Sequence, residues 1–189
     1  MKSRKCKSCK TEFTPTRSMQ QVCSPECAFI SVKANNDKQK RKEAIKDRLS
    51  VRKRLDAMQT LSQLKKKAQT AFNAFIRARD EGKPCISCGR YHDGQYHAGH
   101  YRSVGSAPEL RFEELNVWKQ CQPCNTHLSG NLINYRRALV EKIGIEAVEW
   151  LEGHHKQKKY TREQLKELAS EYRAKTKVLQ QQRRKNASN

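Results

Sequence analysis

Eight cysteines in four close pairs constrain this chain more than any other feature: Cys6/Cys9, Cys23/Cys27, Cys85/Cys88 and Cys121/Cys124. In a reducing compartment, cysteines separated by two or three residues act as thiolate metal ligands rather than disulfide partners. Two pairs together supply the four sulfurs that a tetrahedral zinc takes, so the spacing predicts about two structural zinc ions per chain. Four sulfurs leave no open position on the metal, and each ion replaces core that a short polar segment cannot build.

Only 35% of the 189 residues are apolar, which argues against one large core. Against 19 acidic residues stand 40 lysines and arginines, for a net charge of +21. The excess is segregated: residues 1–80 carry 21 basic and 7 acidic side chains, 81–155 carry 8 and 9, and 156–189 carry 11 and 3. A neutral centre between cationic flanks points to a polyphosphate partner. The first residues hold no apolar leader, and no run approaches the roughly 18 apolar residues needed to span a bilayer, so a cytoplasmic protein without membrane association is expected.

The chain reads as four segments. Residues 1–32 form an N-terminal four-cysteine zinc module, in which Ser24 caps and Pro25 opens a helix that places Cys27 at its N-terminus. Residues 33–80 are a long basic helical segment, because the 56 residues Glu26–Glu81 contain no glycine or proline. Its second half carries a clean apolar face of Ala68, Ala71, Phe72, Phe75 and Ile76 and should dock; its first half has only a thin stripe and projects. Either one continuous helix or a break near Gln59–Ser62 satisfies the pattern. Residues 81–155 are the compact zinc-bound centre, and 156–189 are a basic helix opened by the Thr161-x-x-Gln164 capping box, with a tail fraying from Arg183.

Between the third and fourth cysteine pairs lie His97, Ala98, Gly99, His100 and Asn116, and Asn125 and His127 come after Cys124. Gly94 and Gly99 suggest a hairpin of short strands about Tyr96 and Tyr101, and Asn125–His127 should open a helix. A strand pair followed by a helix would gather His97, His100, Asn125 and His127. His92, His154 and His155 lie outside the pattern and read as surface residues.

The residues Ala71–Arg77, Pro84–Gly89, Ala98–Arg102, Leu110–Phe112, Gln120–Cys121, Cys124–Asn125 and Ser129–Leu132 carry a resemblance over essentially the full length. The chain resembles the phage lambda NinG (Rap) recombination endonuclease family and, more broadly, the HNH or ββα-metal (His-Me finger) nucleases with a four-cysteine zinc site, endonuclease VII among them. The resemblance implies a mainly α-helical protein with a small zinc-stabilised ββα-metal centre and an additional N-terminal knuckle. It implies a metal-dependent endonuclease on branched DNA, such as Holliday junctions and D-loops, in a phage or prophage protein of a bacterial cytoplasm. His100 takes the place of the general base and Asn116 that of the asparagine that fixes the loop carrying it. Asn125 matches a catalytic-metal position, for Mg²⁺ or Mn²⁺. Where many relatives place an Asp or His before the base this chain has Gly99, so His97 and His127 are the candidates to complete the ligand set. Arg102, Arg111, Arg136 and Arg137 suit phosphate contacts. A homodimer and host recombination proteins are further partners compatible with cutting a four-way junction. The alternative is a non-catalytic zinc-finger protein that binds DNA or RNA; a coiled-coil assembly protein is a third reading.

Overall fold

The computed structural model describes residues 2–187. It is mainly helical, with two two-stranded sheets, and divides into two units at Gln59/Thr60. Among the described residues, no helix is long and apolar enough to cross a membrane.

In the first unit, β1 (Arg4–Lys5) pairs antiparallel with β2 (Glu12–Phe13), and the turn between them carries Cys6 and Cys9. Helix α1 runs from Pro25 to Met58 and begins inside the four-cysteine module, eight residues earlier than the expected segment boundary at 33. Ser24 accepts a hydrogen bond from the Cys27 amide at 3.3 Å, and Pro25 occupies the first turn, where a missing N–H costs nothing. Of its 34 residues only Cys27 is buried. Phe29, Ile45, Leu49, Leu55 and Met58 all face water, so α1 is a solvent-exposed cationic rod about 50 Å long.

The long helical run is broken. Gln59 and Thr60 adopt extended backbone, and α2 starts at Leu61 and ends at Arg79. Thr60 and Gln63 form a reciprocal cap: the Thr60 amide donates to the Gln63 side chain at 2.8 Å, and the Gln63 amide donates to the Thr60 hydroxyl at 3.2 Å. The same pair of bonds joins Thr161 and Gln164 ahead of α5 (Arg162–Ala187). Helix α5 continues through Ala187 rather than fraying from Arg183, whose guanidinium reaches the Ala78 carbonyl and the Glu81 carboxylate. Ser188 and Asn189, the rest of the expected tail, lie outside the described residues.

The second unit is built around one hairpin. β3 (Tyr96–His100) pairs antiparallel with β4 (Val117–Cys121), with Tyr96 opposite Cys121 and His100 opposite Val117. The partner of β3 is thus not the stretch after Tyr101, as the glycine spacing suggested, but a strand reached through a long connection. Gly99 is no turn residue either; it lies within β3. A Cβ there would stand 2.2 Å from Oε1 and 2.9 Å from Cβ of Gln120, so the strand has room for glycine alone.

One face of the hairpin packs on α2 and α5, where Phe72 meets Tyr172 and Phe112 edge-on at 4.9 and 5.8 Å between ring centroids. The other packs on α3 (Leu132–Ile143) and α4 (Ile145–Glu152) through Trp118, Tyr135, Leu139, Val148 and Leu151. Beyond β4 the chain makes a single wide turn over Pro123–His127, closed by the Leu128 amide on the Pro123 carbonyl at 3.0 Å. The helix expected from Asn125 is present as this one π-type turn, which holds Asn125 and His127, but it does not continue: Ser129, Gly130 and Asn131 all take left-handed backbone, and the next α-helix starts at Leu132.

Candidate functional site

Both sets of four cysteines converge. Within each set the sulfurs lie within 4.8 Å of one another. Cys9–Cys23, Cys23–Cys27 and Cys88–Cys121 are separated by 3.5, 3.6 and 3.9 Å. A tetrahedral zinc with Zn–S bonds of about 2.3 Å requires sulfurs about 3.8 Å apart, whereas a disulfide requires about 2 Å. The clusters are therefore shaped for metal. Backbone amides point at the sulfurs: Cys23 N–H at Cys6 Sγ (3.4 Å) and Cys121 N–H at Cys85 Sγ (3.3 Å). Burial pushes the Cys6 thiol up, but donors from the Cys9, Cys23 and Ser8 backbone prevail and hold it at about 6. Its neighbour Cys23, hydrogen-bonded to Cys9 and the other sulfurs, is pushed up to about 12. Four sulfurs this close ionise together only around a cation.

The second cluster has further supports that the spacing did not reveal. His92, read as a surface residue, places Nε2 3.3 Å from Cys88 Sγ, and the Asn131 amide lies 3.6 Å from Cys124 Sγ. Such outer contacts orient the ligands and fix the charge on sulfur. Gln120, wholly buried, donates to Ser87 Oγ at 2.6 Å and to the Gly130 carbonyl at 2.5 Å, tying the first zinc turn to the segment after the second.

His100 ends β3. Its Nε2 lies 3.0 Å from the Arg111 carbonyl oxygen, which can only accept, so Nε2 carries the proton. Burial lowers its pKa; the Arg111 carbonyl works against that shift, the Arg111 guanidinium adds to it, and the Ala98 backbone opposes it to a lesser degree. The ring is accordingly neutral at pH 7.

Asn116 is fully buried just before β4. Its Oδ1 accepts from the Arg102 amide at 2.8 Å, and its Nδ2 donates to the carbonyls of Arg102 (3.0 Å) and Leu110 (3.2 Å). It therefore clamps both ends of the connection that leaves His100.

His97 stands opposite Gln120, and the strand alternation sends His97 and His100 to opposite faces of the hairpin. His97 lies on the face where Gln120 holds the Gly130 turn, and its Nε2 is buried without a hydrogen-bond partner. Asn125 is half-buried and His127 exposed in the wide turn. His100 makes its side-chain hydrogen bond to Arg111, not to Asn125 or His127. Among the described residues, no group of three or more His, Cys, Asp or Glu converges at a metal-binding distance except the two cysteine clusters.

The four arginines differ. Arg102 turns inward and caps α4 through the Glu152 carbonyl at 2.8 Å. Arg111 reaches Gln69 at 3.3 Å, and Arg136 forms a two-point pair with Glu152 at 2.8 and 3.1 Å. Arg137 alone makes no ion pair or side-chain hydrogen bond among the described residues and is exposed. Of the four arginines expected to suit phosphate contacts, Arg102 has its head group already engaged by α4.

Fold and site together define a mainly helical protein carrying two four-cysteine clusters that could hold zinc, the second built into a two-stranded hairpin. The family model described as "Bacteriophage Lambda NinG protein" matches residues 1–182, and the chain belongs to that family. It is 43% identical over 195 residues to "Protein ninG" of Salmonella phage P22, and 42% identical over 195 and 193 residues to the proteins of that name from Escherichia phage lambda and Escherichia phage 933W. Each alignment covers 95% of both chains. No solved structure matches the chain.

Proposed function

We propose that this protein is a metal-dependent endonuclease of the HNH, ββα-metal type that hydrolyses phosphodiesters in branched DNA, with His100 as general base. The observation that carries the reading is the His100–Arg111 hydrogen bond. It fixes the proton on Nε2 and leaves Nδ1 as the basic nitrogen, while burial outweighs the opposing pull of the carbonyl and keeps the ring neutral at physiological pH. In this reading Nδ1 takes the proton of a water as its oxygen attacks phosphorus, and the 3′ oxygen departs. Asn116 is a positioning residue, holding the connection on which Arg111 sits.

The Asn125 side chain, with His127 at the margin, would hold a divalent ion, Mg²⁺ or Mn²⁺; His97, sent by the strand alternation to the face opposite His100, would not share a phosphate with that base. Such an ion supplies charge neutralisation at the phosphate and at the departing oxygen. The cationic flanks, α1 above all, supply backbone affinity without base reading. Two closed cysteine clusters and an exposed basic helix also suit the rival reading, a non-catalytic zinc protein that only binds nucleic acid.

Fixed four-way and linear duplexes incubated with the full chain and Mg²⁺, Mn²⁺ or neither separate the two. Metal-dependent cutting of the branched DNA, lost in His100→Ala with binding retained, is expected. Absence of cutting under every metal condition, with salt-sensitive binding intact, would leave the rival.

A further inference from the structure

Ser129, Gly130 and Asn131 form a run of three left-handed residues, with φ of 47°, 94° and 47°. Two of them carry a Cβ, for which this backbone is unfavourable, so the surrounding structure must hold it. The restraints are visible. The buried Gly130 carbonyl accepts from Gln120 Nε2 at 2.5 Å and from Ser87 Oγ at 3.2 Å, and the Gly130 amide donates to the Cys124 carbonyl at 2.9 Å. The turn is bolted to the second zinc cluster.

That rigid mount presents apolar side chains to water. Leu128, Leu132 and Ile133 are 58%, 49% and 82% exposed. Leu132 leans over Gly130, its Cδ2 lying 3.2 Å from where a Cβ would be, so Leu128 and Ile133 are the tips. Arg137, one helical turn beyond Ile133, is exposed and without a partner among the described residues, and Arg136 beside it is 44% exposed. A held loop with apolar tips and a cationic rim fits a partner with an apolar interior behind an anionic surface.

We infer that residues 128–133 are a wedge that enters the open base stack at a DNA branch point, with Leu128 and Ile133 inserted between bases and Arg137 on the adjoining phosphate. The inference rests on the nuclease reading and names what selects its substrate. Leucine and isoleucine wedges unstack a base step most readily where stacking is already interrupted, as at a branch. An anionic bilayer offers the same two chemistries. The DNA is favoured because the wedge starts immediately after His127 and three residues after Asn125, so insertion would register the scissile phosphate against them.

The test uses 2-aminopurine at the centre of a fixed four-way junction, with full-length protein in a His100→Ala background so that binding is read without cutting. Fluorescence should rise several-fold on binding and stay flat when Leu128→Ser and Ile133→Ser are added. With His100 intact, the same two substitutions should lower the branched-over-linear cleavage ratio about tenfold while zinc content and linear cutting stay unchanged. An unaltered fluorescence rise and ratio in the substituted protein would overturn the wedge, as would binding to phosphatidylserine vesicles that these substitutions abolish while the 2-aminopurine signal persists. Failure of the parent protein to cut any DNA would instead count against the nuclease reading, and the fluorescence would still report on the wedge.

Discussion

His100 Nε2 lies 3.0 Å from the carbonyl oxygen of Arg111, eleven positions along the chain in the connection between β3 and β4. The bond sets both the tautomer and the direction of the ring. His100→Gln keeps a side-chain N–H for that carbonyl but cannot take a proton. Cleavage should fall by at least about a hundredfold, with junction affinity unchanged in a gel-shift titration.

The lowered His100 pKa fixes the sign of a pH effect. Since burial disfavours the imidazolium, cleavage should rise with pH through a limb lying below the ordinary histidine value and then level off. Stability has the same sign. The folded state binds this proton less readily than the unfolded chain, so the contribution of His100 is complete above the unfolded value and is lost as pH falls through the lowered one. Urea melts of parent and His100→Gln from pH 5 to 8 would check it, the parent showing the steeper decline on the acid side.

Gly99→Ala should destabilise the second unit by about 1–3 kcal/mol, the usual consequence of overpacking. The Gln120 side chain that the new methyl would strike is held by Ser87 and Gly130 and cannot swing away freely. Chemical denaturation in zinc-containing buffer gives the value, and an unchanged midpoint would show that Gln120 is looser than its hydrogen bonds indicate.

Asp80 is 2% exposed, paired with Arg79 at 2.7 Å and Lys83 at 3.1 Å, and accepts from the Lys119 amide at 3.2 Å. Burial works to raise its pKa, but the Arg79 guanidinium, followed by Lys83, outweighs it and the net shift is downward. Its stabilisation is complete above the ordinary aspartate value and is lost as pH falls through the lowered one. Asp80→Asn should cost about 3 kcal/mol at pH 7, and the gap from the parent should narrow below roughly pH 4.

Metal removal should act on the two four-cysteine clusters first. A strong chelator should release about two zinc ions per chain, and Cys121→Ser should release one. The α2–α5 helical signal should outlast the loss of near-ultraviolet circular dichroism from Trp118 in β4 and from Tyr135 packed in the same core. Metal content by mass spectrometry alongside the spectra tests both parts.

Both cysteine clusters were legible because zinc spacing is a local code, and the Ser24–Pro25 helix start for the same reason. The Thr161-x-x-Gln164 cap was equally plain, yet Thr60-x-x-Gln63 is the same motif and is obscured by helix-forming neighbours on both sides. What stayed hidden is non-local. Gly99 is required by a side chain on the opposite strand, His92 reaches a thiolate four residues away across a turn, and Arg102 caps a helix fifty positions distant. Residue type shows what a side chain can do, while packing decides which partner engages it.

The cap at Thr60 also makes the division between the units chemically clean. Both donors at the head of α2 are satisfied within four residues, so a polypeptide beginning shortly before Thr60 would keep its first helical turn intact without help from upstream chain. Nature and the experimenter alike could excise, swap or fuse the leading cationic rod there with that first turn of α2 left capped.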